Sequence, residues 1–123
     1  MIGEIRVTLL PYFDMSRNAK LNKKRPALII AKADAEDYVI LPISSITRQE
    51  NRDPVYDIEI EPAKYPLLNL QKKSYVRTHK QTIVHCKEIS DKIGDIKKDY
   101  PDLYLAIIEK RQEFSDKITE QAI

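Results

Sequence analysis

Lys24-Arg25-Pro26-Ala27-Leu28-Ile29-Ile30-Ala31 is the stretch that decides the fold class. From Pro26 to Ala31 it is a short, continuous apolar run, consistent with a central strand. Its entry is fixed by the Arg-Pro pair, because a residue before proline avoids the helical region and stays extended. Upstream, Ile5, Val7 and Leu9 alternate with Glu4, Arg6 and Thr8, the period of a half-buried strand over residues 3–9. A polar segment without glycine, from Pro11 to Lys24, is expected to be a loop between the two. Downstream, residues 32–37 suit a hairpin loop and Tyr38 to Ile43 the returning strand, with Pro42 arguing for an edge or a bulge. Residues 46–53 form a polar loop, and Val55 to Ile60 alternates again, with Tyr56, Ile58 and Ile60 opposite Asp57 and Glu59.

Beyond Pro62 and Pro66, Ser74 to Val84 is expected as one extended segment, with Tyr75, Arg77, His79 and Gln81 on one face. Residues 86–92 suit a helical turn ending before Gly94. Pro101 fits the first turn of a helix, and Tyr104, Ile107, Ile108, Arg111 and Phe114 recur at helical spacing. The expected architecture is therefore mainly β with a C-terminal helix, a small, strongly bent sheet or barrel. At 123 residues the chain is expected to be one domain, 1–123, with a real core.

Composition narrows the function classes. With 33% charged and 42% hydrophobic residues the chain resembles an ordinary soluble globular protein. It lacks the run of about 18 apolar residues that a membrane helix needs, and its alternating, acid-bearing start does not read as a signal peptide. A lone Cys86 has no partner for an internal disulfide and fits a reducing cytoplasm. The net charge of +2 is no argument for nucleic acid, but its distribution is informative. Arg17, Lys20, Lys23, Lys24 and Arg25 face only one acid, Asp14, and Lys72, Lys73, Arg77, His79 and Lys80 face none. The acids collect at Asp53, Asp57, Glu59 and Glu61 and in the C-terminal third. Two basic segments on a nearly neutral chain suggest a local anion site, against the plainer reading of two solvated loops.

Most catalytic signatures are missing. Gly3 and Gly94 are the only glycines, so no phosphate-binding loop exists. No Cys/His set has zinc spacing, and neither H-E-x-x-H nor G-x-S-x-G occurs. What remains is a polar set flanked by strands. Arg25 precedes the apolar run, where a rim ion pair is its plain alternative role. Ser44-Ser45 closes the strand at 38–43, where turn chemistry would also account for the pair. Arg77 and His79, two residues apart on a strand, would lie about 6.5–7 Å apart along the backbone. An imidazole can accept a 2′-hydroxyl proton near neutral pH, and a guanidinium can neutralise a phosphorane through forked hydrogen bonds. His85 has no evident partner and is taken as a surface residue.

The order of these segments resembles the MazF/PemK toxins from Gly3 to about Phe114. The likeness is carried by Gly3-Glu4-Ile5, Lys24-Arg25-Pro26-Ala27-Leu28-Ile29-Ile30 and Pro42-Ile43-Ser44-Ser45. It continues through Ser74-Tyr75-Val76-Arg77-Thr78-His79-Lys80-Gln81-Thr82-Ile83 and Lys92-Ile93-Gly94. The resemblance implies an SH3-like barrel of the CcdB and MazF type and a homodimer with single-stranded RNA across its interface. It further implies cleavage needing no metal or other cofactor, and a co-produced antitoxin whose acidic, flexible tail fills the RNA site. Catalytic roles carry over to Arg25 and Ser44, and Arg77-Thr78-His79 occupies the place of the Arg-x-Asp pair of the PemK branch. Two departures stand out. The first loop, Asn18 to Lys24, has no glycines before Arg-Pro, and His79 replaces the carboxylate, which leaves His79 or an arginine as the general base.

Three readings follow. In the leading one Arg25, Ser44, Arg77 and His79 cleave RNA by 2′-hydroxyl attack, while Arg17, Lys20, Lys23, Lys24, Ser45 and Lys80 bind it. In the second, a non-catalytic barrel binds a protein target such as DNA gyrase. In the third, a degenerate homologue binds RNA without cutting.

Overall fold

The computed structural model describes all residues, Met1–Ile123. Its centre is a long hairpin of β1 (Glu4–Asp14) and β2 (Ala19–Lys32), paired from Ile5 with Leu28 to Asp14 with Ala19. The expected polar loop over 11–24 is therefore mostly strand. A β-ladder is built from backbone groups, so it continues past the point where side chains stop being apolar. The sharp turn lies only at residues 15–18. There the Asp14 carboxylate accepts hydrogen bonds from the backbone N–H groups of Ser16 and Arg17, at 3.0 and 3.2 Å. Asn18 adopts the left-handed conformation, φ 49°, which asparagine tolerates better than most residues.

β3 (Asp37–Ser44) returns along β2 after a four-residue turn, where the Asp34 carboxylate accepts from the N–H groups of Glu36 and Asp37. β3 is not an edge strand. Its other side pairs first with β6 (Thr82–His85), through Asp37 to Ile40, and then with β5 (Ser74–Arg77), through Ile43 and Ser44. Pro42 falls in the break between these two partners, where no strand lies opposite to receive an N–H.

β4 (Asp57–Ile60) pairs with β5, placing Asp57 directly opposite Arg77. Asp57 is buried, contrary to the solvent-facing side that the alternation of 55–60 suggests. The expected single strand over 74–84 is two strands, β5 and β6, joined by a turn at 78–81. The Lys80 N–H donates to Arg77 O at 3.1 Å, and the Thr78 hydroxyl donates to Tyr56 O at 2.6 Å, which bends the chain sharply. Tyr75 is buried on β5, and His79 lies beyond that strand, in the turn.

The helical turn expected over 86–92 covers only Cys86–Glu88. Residues Ile89–Asp95 form β7, which pairs with β1. Gly94 sits opposite Ile5 and against the Leu67–Leu68 backbone, where a Cβ would come within 2.9 Å of Leu68 Cα. The strand order is β4-β5-β3-β2-β1-β7, with β6 beside β3, giving a curled half-barrel rather than a hydrogen-bonded closed one. Asn69 donates from its amide to Ile93 O at 2.8 Å and ties the open side to β7.

A one-turn helix, α1 (Ile96–Asp99), leads into α2 (Pro101–Ala122). Leu103, Tyr104 and Ile107 of α2 close the main core over Ile5, Leu28, Leu41, Ile43 and Val76. Fully buried aliphatic side chains of this kind each contribute about 1.5–3 kcal/mol. A second, smaller cluster joins Leu10, Ala27, Ile29, Ile40 and Val84 on the other face of the sheet. No helix is long and apolar enough to cross a membrane.

Candidate functional site

Where β1, β2, β3 and the β5–β6 turn meet, a cleft of about 610 Å³ opens to solvent. Arg25, Ser44, Arg77 and His79 all line it. Each arrives by a separate route. Arg25 stands on β2 opposite Thr8, held extended by Pro26. Its Nη1 donates to Ser44 Oγ at 3.4 Å, a long bond that leaves both groups able to turn to an anion. Ser44 ends β3, opposite Tyr75.

Arg77 is fixed at the end of β5. Its Nε donates to Asp57 Oδ1 at 3.1 Å, and its Nη2 reaches Asp57 Oδ2 at 3.4 Å and Asn51 O at 3.2 Å. The buried carboxylate also accepts from the Asp53 backbone N–H at 2.7 Å. His79 reaches the same cleft from the turn, not from a shared strand face. Its ring lies 6.0 Å from Tyr56 and 6.0 Å from Phe114, edge-on to the latter, with only 13% of the side chain exposed. Burial lowers its pKa below the ordinary 6.5; Asp57 opposes that shift, Arg77 adds to it, Asp53 opposes it and Lys80 adds to it. The imidazole is therefore biased toward its neutral form at pH 7.

The basic residues divide. Lys80 lines the main cleft, and Lys23 and Ser45 line an adjoining one of about 360 Å³ that shares Arg25 and includes Lys72. Arg17, Lys20 and Lys24 line neither cleft. Arg17 is 73% exposed at the hairpin tip, with Asp14 at 3.7 Å, and Lys20 lies near the same tip, opposite Phe13. Lys24 is an exposed residue of β2 between Lys23 and Arg25.

Sequence reasoning missed Asp57, which stands there only as one of several clustered acids. The only signal was a carboxylate inside a short alternating strand, and its partner depends on a strand register that spacing alone does not reveal. Tyr56 and Phe114, which wall in His79, were read only as strand and helix periodicity. His85 does have a partner, Glu36, whose carboxylate lies 3.2 Å from Nε2.

The chain is similar in structure to the Mycobacterium tuberculosis toxin MazF-mt6, with a TM-score of 0.65 over 92% of this chain and 96% of that one. Sequence identity is 16%, so this likeness concerns the fold. No curated protein sequence matches the chain. A family model described as PemK-like, MazF-like toxin of type II toxin-antitoxin system matches residues 3–109, a span that includes Arg25, Ser44, Arg77 and His79. The chain thus belongs to the PemK-like, MazF-like family of type II toxins.

Proposed function

We propose that this chain is an endoribonuclease that cleaves single-stranded RNA without a metal ion, acting in the cytoplasm as a homodimer. The observation that carries this reading is the convergence of two guanidinium groups, a hydroxyl and a largely neutral imidazole on one open cleft. In the reaction, the RNA 2′-hydroxyl gives its proton to His79 while O2′ bonds to phosphorus. The P–O5′ bond then breaks, and the departing 5′ oxygen takes a proton from solvent. The products are a 2′,3′-cyclic phosphate and a 5′-hydroxyl end. Arg25 and Arg77 neutralise the phosphorane oxygens, and Ser44 hydrogen-bonds the scissile phosphate. Lys23, Ser45 and Lys80 hold neighbouring phosphates or sugars. Arg17, Lys20 and Lys24, outside the two clefts, draw RNA in over longer range. The same basic surface suits the acidic, flexible tail of an antitoxin, which would block RNA by occupying the cleft.

Two results follow. Purified protein should cut single-stranded RNA in the presence of EDTA and spare DNA of the same sequence, which lacks the attacking 2′-hydroxyl. Loss of cleavage in EDTA, restored by magnesium, would overturn the mechanism. In sedimentation at micromolar concentration the 14.3 kDa chain should run as a two-fold dimer. A monomer with full activity would contradict the proposed assembly.

A further inference from the structure

We propose that Asp57 is the positioning residue of the cleft, holding His79 in the tautomer that carries its proton on Nδ1 and leaves Nε2 free to act as the base. This inference rests on the reading of His79 as the proton acceptor, and it assigns the nitrogen that accepts. The Asp57 side chain is wholly buried on β4, directly opposite Arg77. Its oxygens are spoken for by the Asp53 N–H and the Arg77 guanidinium, which orient the carboxylate before any substrate arrives. Oδ1 then faces His79 Nδ1 at 3.8 Å. Nδ1 is buried and has no hydrogen-bond partner.

A buried polar atom without a partner is costly, and its protonation decides the sign of this contact. An Nδ1 lone pair turned toward a carboxylate is repelled, whereas an Nδ1–H is attracted. The carboxylate therefore selects the Nδ1–H tautomer, and Nε2 keeps the lone pair. Tyr56 and Phe114 flank the ring, and a ring flip between them would put Cδ2 in the place of Nδ1 beside Asp57. The separation exceeds a hydrogen bond, and catalytic contacts of this type commonly tighten only when substrate binds. The remaining charges around the ring are Asp53 before β4, Arg77 on β5, Lys80 in the turn, Arg111 of α2, which lines a small cleft with His79, and Lys117 of α2, which lies over Tyr56 at 5.7 Å. All but Asp53 are cations, and the Asp53 carboxylate accepts instead from the N–H groups of Val55 and Tyr56, so Nδ1 gains no partner from them.

The test reads the tautomer directly, by ring-nitrogen NMR of the full-length, histidine-labelled protein above the His79 titration. His79 should be protonated at Nδ1, opposite to the Nε2–H form preferred by free histidine. An Nε2–H spectrum for His79 would overturn the proposal, whatever the enzymatic activity. Asp57→Asn should release this preference and lower kcat for RNA roughly 10²- to 10³-fold, with KM changed only a few-fold. A folded Asp57→Asn protein with normal kcat and an unchanged tautomer would also overturn it. If that variant does not fold, the wild-type spectrum decides alone. Failure of the parent reading looks different, because His79→Asn would then cut RNA normally even with an Nδ1–H spectrum in the wild type.

Discussion

Replacing His79 by Asn should slow RNA cleavage roughly 10²- to 10⁴-fold and flatten the acidic limb of its pH profile. A general base must be neutral to accept a proton, so activity rises as pH climbs through the His79 pKa and then levels off. Burial sets that pKa below 6.5, and Arg77 and Lys80 push it further down against the opposing pull of Asp57 and Asp53. The midpoint of the limb in kcat/KM should accordingly fall below 6.5, the ordinary histidine value, with activity levelling off near neutrality. His85→Asn is the control. His85 is part-exposed, lies outside the cleft and pairs with Glu36, so its loss should change neither rate nor profile. If His79→Asn retained a normal rate and an unaltered profile, the base would have to be sought at an arginine.

Arg25→Ala should lower turnover by on the order of 10²-fold or more, about 2.7 kcal/mol of transition-state stabilisation. The magnitude follows from position. Arg25 lines both clefts and reaches Ser44, so its charge lies where the proposed mechanism develops the phosphorane. Arg17→Ala removes an equal charge from the exposed hairpin tip, and should instead weaken binding and reduce the salt slope by about one. The comparison separates chemistry from attraction. Were both variants to turn over normally at saturating RNA, Arg25 would be a rim residue of the barrel.

The parts of this account that were legible in the sequence are those governed by apolar periodicity. The run Pro26–Ala31 and the helical spacing of Tyr104, Ile107 and Ile108 report burial and are found in the elements expected, whereas the alternation at Ile5, Val7 and Leu9 marks a strand but not its buried face, because beyond Ile5 it is Thr8 and Leu10 that are buried. Where side chains are polar the same signal falls silent. The hairpin arms at 11–14 and 19–24 are held by backbone ladders that place no demand on polarity, so they resemble a loop. Asp14 and Asn18 were the available markers of the real turn. The break at 78–81 carries neither glycine nor proline, and depends on Thr78 bonding back to Tyr56, a contact between distant segments. Arg77 and His79 reach one cleft despite that break, because the turn itself delivers His79 there. Asp57 depended on register, and so emerged only with the fold.

The most direct test of the central claim is to map the ends of single-stranded RNA cut by the purified protein in EDTA. The expected products are 2′,3′-cyclic phosphates facing 5′-hydroxyl ends, with no cutting when the 2′-hydroxyl at the scissile position is replaced by hydrogen. Fragments bearing 5′-phosphates and 3′-hydroxyls, or cleavage that persists without that 2′-hydroxyl, would contradict it.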